Sequence, residues 1–76
     1  GVEPADIFLA NINRNVILRD IETYSSHLRN GGVMILSGFY EDDVPMIEAA
    51  ARPLGLVTKA MRSRDKWTAL TLRKHS

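Results

Sequence analysis

Residues 6–39, DIFLANINRNVILRDIETYSSHLRNGGVMILSGF, decide the fold. Ile7-Phe8-Leu9-Ala10, after Asp6, and Val33-Met34-Ile35-Leu36 are short apolar runs without polar alternation. Runs of this kind fit strands buried on both faces, as in a parallel sheet. Between them Ile17, Ile21, Tyr24 and Leu28 fall at i, i+4, i+7 and i+11, one stripe of a helix. Asn13 can cap its start, and Asn30-Gly31-Gly32 tolerates the left-handed turn that would end it. Strand, helix and strand at these spacings predict a βαβ unit.

Working outward, Asp42 and Asp43 place negative charge at the positive end of a second helix, and Pro45 is harmless in its first turn. Val44, Ile47, Ala51 and Leu54 share a face, and Pro53 with Gly55 stops the helix. Beyond it, residues 56–61 and 67–73 alternate. They are separated by Arg62-Ser63-Arg64-Asp65-Lys66, and read as an antiparallel pair joined by a polar, basic turn. Pro4 punctuates the chain before the first strand. The expected class is α/β, in the order strand, helix, strand, helix, strand, strand, ending in a hairpin.

Handedness turns this order into a statement about coverage. Parallel crossovers are right-handed in nearly all proteins, so two that step in one direction put both helices on the same face. The other face of two very apolar strands is then bare, whereas such strands normally carry helices on both. Two explanations compete: a half supplied by further chain, or a homo-oligomer that buries the face. The 76 residues, opening on Gly1, fit a piece or a processed product. A domain of this size buries only about 60% of its unfolded surface, so it is marginal without help.

Composition narrows the function. The chain is 45% apolar, 25% charged and 7% aromatic, a globular mix. Its formal charge of +1 is too balanced for a general nucleic-acid or anionic-membrane binder. With no cysteine there is no disulfide framework and no cysteine-ligated metal, which suits a cytoplasmic location. His27 and His75 lack the spacing of a metal pair, so no metal site is expected. No run reaches the roughly 18 apolar residues that a bilayer span needs. Glycine-rich dinucleotide loops, Walker loops, nucleophile elbows and helically spaced catalytic carboxylates are absent too, so the chain does not hold a complete active site.

Ligands of open α/β sheets sit beyond the carboxyl ends of the strands. That rule selects Asn11-Ile12-Asn13 and Ser37-Gly38-Phe39-Tyr40. A carboxamide there accepts a hydrogen bond from an amine without adding charge, which suits the orientation of a neutral nitrogen nucleophile. Turn formation and helix capping compete for Asn11 evenly, and for Asn13 they are the stronger reading. Gly38 reads first as a turn and second as a place where a ligand nears the backbone. Phe39 and Tyr40 read as packing on a helix, with coverage of a flat ligand the weaker option. Charge is uneven: residues 1–58 carry −4 and residues 59–76 carry +5. Arg62, Arg64 and Lys66 beside Trp67 read as a solvated basic turn before they read as an RNA or acidic-protein contact.

In Asp6-Ile7-Phe8-Leu9-Ala10-Asn11-Ile12 and Leu36-Ser37-Gly38-Phe39 the sequence resembles the bacterial methyltransferases of ribosomal protein L11, the PrmA type. The helix running to Asn30-Gly31-Gly32, the Pro53-x-Gly55 stop and Trp67 in the last strand fit as well, so the likeness covers nearly the whole chain. The resemblance implies an S-adenosylmethionine-dependent, cytoplasmic enzyme that methylates amino groups of L11. It also implies that residues 1–76 are the carboxyl-terminal portion of a Rossmann-like class I methyltransferase domain. The implied sheet order is first, second, fourth, third. Asn11 matches the asparagine beside methyl donor and incoming amine, and becomes the catalytic candidate. Asn11 and Ala10 become cofactor-binding candidates, with Ile12, Ser37 and Gly38 lining the substrate cleft. The family's glycine-rich cofactor turn and its ribose-holding acid belong to earlier strands, so these residues alone are expected to be inactive and to self-associate. Two other readings are a class I methyltransferase fragment with a different substrate, and a non-enzymatic α/β module that dimerises through its bare face.

Overall fold

A computed structural model describes residues 5–75, so Pro4 lies outside the described residues. Strand β1 (Ala5–Asn11) leads to helix α1 (Arg14–Ser26) and the long strand β2 (Leu28–Tyr40). A 3-10 turn, Glu41–Asp43, enters helix α2 (Val44–Ala51), and a second, Arg52–Leu54, leaves it. Strands β3 (Leu56–Arg64) and β4 (Trp67–Lys74) complete one sheet in the order β1-β2-β4-β3. β1 and β2 are parallel, and the other two pairings are antiparallel. The expected α/β order and strand arrangement are both present.

Local chemistry explains most of the boundaries. Asn13 caps α1, its Oδ1 accepting the Val16 N–H at 3.0 Å. Ile17 and Ile21 bury their side chains, and the Tyr24 ring lies 4.8 Å from that of Phe8. Pro45 sits in the first turn of α2, as expected. Gly55 takes a left-handed φ of 76° after the second 3-10 turn, and a Cβ there would meet the His75 carbonyl oxygen at 2.7 Å.

Two boundaries differ from the sequence reading. Helix α1 ends at Ser26 and not at the Asn30-Gly31-Gly32 turn. Leu28 already belongs to β2, opposite Ala5, and residues 29–32 form a bulge before Ile7 pairs with Val33. Leu28 is buried, as its place in the stripe required, but as a strand residue. The helix end is finished from a distance. The Lys74 ammonium on β4 donates to the carbonyls of Ser25 at 2.6 Å and Leu28 at 2.9 Å. A cation at that end also opposes the helix dipole. The basic turn is likewise shorter than expected. Only Asp65 (φ 53°) and Lys66 (φ 73°) leave the ladder, both left-handed, as two-residue hairpins that match strand twist require. Arg62, Ser63 and Arg64 are therefore strand residues.

Replacing Lys74 with Met keeps most of the stem but removes both donated bonds. The expected loss is about 1–3 kcal/mol of local stability. Faster amide exchange in the last turn of α1, measured in the full-length protein, checks it.

Both helices lie on one face. Ile17 and Ile21 of α1 with Val44, Ile47 and Ala51 of α2 pack onto Met34, Leu36 and Phe39 of β2 and Leu70 and Leu72 of β4. Alternation sends the intervening residues to the other side. There Ile7 is 63% and Leu9 70% exposed, and Val57 on β3 is exposed as well. The bare apolar face that handedness predicted is present.

Candidate functional site

β1 and β2 run parallel, and β4 begins where β2 ends, so Asn11, Ser37, Trp67 and Arg64 gather at one end of the sheet. Register arranges them in rows. Asn11 pairs with Ser37, Ser37 with Ala69, and Ala69 with Arg62, a line across all four strands. At strand spacings near 4.8 Å the Asn11 and Arg62 backbones stand about 14 Å apart. The next row joins Tyr40, Trp67 and Arg64. Asn11, Ser37, Gly38, Arg62, Arg64 and Trp67 line an open groove of about 660 Å³ on the uncovered face.

Asn11 is exposed at the groove, at the carboxyl end of β1. Its backbone is fixed by pairing with β2, and the next residue adds a further tie, the Ile12 N–H donating to the Ser37 carbonyl at 2.8 Å. Gly38 bulges β2 between Ser37 and Phe39, with φ at 96°. A Cβ on Gly38 would lie 2.7 Å from Asn11 Oδ1 and 2.9 Å from both the N and the O of Ile12. The glycine thus accommodates a close approach by its own chain, where the sequence reading had weighed a turn against a ligand. Ala10 turns its side chain to the helix-side core, and so does Ile12. Only their backbones remain for a ligand in the groove. Asn13 is spent on its cap.

Beyond Gly38 the exit of β2 is held by one carboxylate. Asp43 accepts the Tyr40 N–H at 3.1 Å through Oδ2 and the Arg14 guanidinium at 3.1 Å through Oδ1. It ties the start of α1 to the strand end beside the groove. Phe39 is buried in the core, as the packing reading had it. Tyr40 does not pack on a helix: its ring stacks on Trp67 at 4.7 Å, and both stay about half exposed. They form an aromatic rim to the groove.

Arg62 and Arg64 are the residues that sequence reasoning missed at this site. The signal was the alternation continuing through residues 62–64, which the basic composition masked. Among the described residues there is no cluster of His, Asp and Glu able to hold a metal, and no helix is long and apolar enough to cross a membrane. What the groove offers is a neutral carboxamide and a hydroxyl at two strand ends, with guanidiniums on the far strand. This set can align a polar reactant, but it carries no carboxylate or imidazole to move its proton.

Comparison with known proteins gives one answer. Residues 2–75 match the family described as ribosomal protein L11 methyltransferase (PrmA). A protein of Porphyromonas gingivalis named ribosomal protein L11 methyltransferase is 49% identical over 65 residues, which are 86% of this chain and 22% of that protein. One of Bacteroides thetaiotaomicron with the same name is 39% identical over 70 residues, 92% of this chain and 25% of its own length. The solved structure of a ribosomal protein L11 methylase from Lactobacillus delbrueckii subsp. bulgaricus overlays 96% of this chain and 38% of its own. Its TM-score is 0.86, at 30% identity. The chain spans about a quarter of the length of the curated relatives it matches. Its four strands and two helices are thus part of a Rossmann-like methyltransferase fold.

Proposed function

The chain belongs to the ribosomal protein L11 methyltransferase (PrmA) family, and from that membership we propose that residues 1–76 form the carboxyl-terminal portion of an S-adenosylmethionine-dependent enzyme that methylates amino groups of L11 in the cytoplasm. The observation that carries the proposal is the Asn11 carboxamide, exposed at the carboxyl end of β1, with its backbone paired to β2 beside Ser37 and Gly38.

When bound, S-adenosylmethionine supplies a methyl group already activated by its positively charged sulfur. Protein groups then need to align a neutral amine, keep water away and avoid stray charge, and no catalytic acid or metal is demanded. Asn11 meets that need: Oδ1 accepts one N–H of the amine and leaves the nitrogen lone pair free to point at the methyl carbon. Backbone at Ala10 and Ile12 frames the carboxamide, and Ser37 and Gly38 border the place where the amine arrives. The neutral donor set fits the reactive end of the methyl donor. Its adenosyl and amino-acid ends need partners from elsewhere in the full-length protein.

Two consequences belong to this reading. The full-length protein is expected to transfer label from S-adenosylmethionine to purified L11, while the isolated 76 residues neither do so nor bind the methyl donor at micromolar concentration. Methyl-incorporation assays and isothermal titration measure the two. Micromolar binding by the isolated chain would overturn the division of labour between this portion and the rest. The isolated chain is also expected to self-associate through the apolar face that carries Ile7 and Leu9.

A further inference from the structure

We infer that Gly38 is the positioning residue of the site: by lacking a side chain it sets where the Asn11 carboxamide stands. The inference rests on the role of Asn11 proposed above. Three observations meet at this glycine. Its φ of 96° lies where side chains are rarely accommodated. The bulge it makes in β2 separates Ser37, still in register with Ala69, from Phe39, which drops into the core. The space that a Cβ would fill is taken by Asn11 Oδ1 at 2.7 Å and by both polar backbone atoms of Ile12 at 2.9 Å. Real Cβ atoms do not approach other atoms that closely, so a side chain at 38 must displace all three of these neighbours. The Asn11 carboxamide, at the end of a flexible side chain, yields most easily, while the Ile12 backbone can shift only against its bond to Ser37.

A swing of that kind moves the carboxamide without removing it. Loss of alignment by about 1 Å is enough to lower a rate about 100-fold, because a methyl transfer needs nucleophile, carbon and leaving sulfur in line. The reaction itself is unchanged. With the methyl donor bound, the amine lone pair would form the new N–C bond as the C–S bond breaks, the electron pair would leave on sulfur, and the product amine would lose its proton to solvent on release. Gly38 touches none of these atoms and acts only through Asn11.

The test is a double-mutant cycle in the full-length protein: Asn11→Ala, Gly38→Ala and both together. Turnover, the KM for S-adenosylmethionine and the thermal midpoint are measured for each. In the Asn11 background, Gly38→Ala is expected to lower kcat about 10–100-fold with little change in KM. In the Asn11→Ala background it is expected to lower kcat no further, because the group it displaces has gone. The side-chain amide resonances of Asn11 should also shift in Gly38→Ala, whereas a purely structural loss of stability would leave them in place. An equal fall in kcat in both backgrounds, with unshifted amide resonances, overturns the inference. The thermal cycle adds a second reading: a smaller loss of stability from Gly38→Ala in the Asn11→Ala background supports the inference, and an equal loss in both backgrounds overturns it. If Asn11→Ala keeps full activity, it is the proposed role of Asn11 that fails. The amide resonances and the thermal cycle then still report whether Gly38 places that side chain.

Discussion

Asn11→Ala in the full-length protein is expected to lower the rate of methyl transfer to L11 about 100-fold while leaving thermal stability almost unchanged. The separation of the two effects follows from where the residue stands. Its side chain is exposed at the end of β1 and contributes nothing to the core beneath the helices. Surface substitutions of this kind shift stability by no more than about 0.5 kcal/mol. The rate effect comes from alignment and from one directed hydrogen bond to the amine, which together supply about 3 kcal/mol when the rest of the site is intact. Initial rates with saturating methyl donor and L11, alongside a melting curve, check both halves. A variant with full turnover would end the assignment.

The second large effect is expected at Leu9. Its side chain is 70% exposed, on a face whose neighbours across the ladder are Ile35 and then Thr71. If the remainder of the full-length protein packs there, Leu9→Asp places a carboxylate in an apolar interior and costs about 3–5 kcal/mol. In the isolated 76 residues the same change meets water and is expected to leave the fold intact while reducing self-association. Thermal melts of the full-length variant and sedimentation of the isolated one measure the contrast. A full-length protein that tolerates Leu9→Asp as readily as the isolated chain would mean that the face stays wet. The reading of this sheet as half of a covered layer would then fail.

How far the sequence was legible depends on what each residue had to report. Continuous apolar runs in β1 and β2, the helical stripe at Ile17 and Ile21 and the Asn13 cap are local signals, and the structure carries all of them. The end of α1 was misread because Leu28 satisfies a helical stripe and a buried strand equally well. The side chain that bonds the carbonyl of Ser25 at that end, Lys74, lies 49 residues away, beyond the reach of any local pattern. The site shows the same division. The rule that strand ends hold ligands points to Asn11, Ser37 and Gly38, and all three line the groove. Arg62 and Arg64 were set aside as a solvated turn, because only the seating of β4 beside β2 brings them to the same groove as Asn11. Ala10, a cofactor-binding candidate by the resemblance, presents its backbone alone to the groove, because strand alternation turns its side chain toward the helices. The role proposed for Asn11 comes from the family resemblance, which periodicity could not have suggested.

The sheet order has a consequence for how the molecule is made. β4 follows β3 in the chain but lies between β3 and β2, so on the ribosome β3 emerges with no neighbour to bond to. Until the Asp65-Lys66 turn and the residues after it have been translated, β2 and β3 both present open edges, the state most prone to mispairing with another chain. The wedge that joins them arrives late, carrying Leu70, Leu72 and the lysine that finishes the first helix. A chain ending before Trp67 would therefore contain both helices and three strands but lack the strand that belongs between β2 and β3.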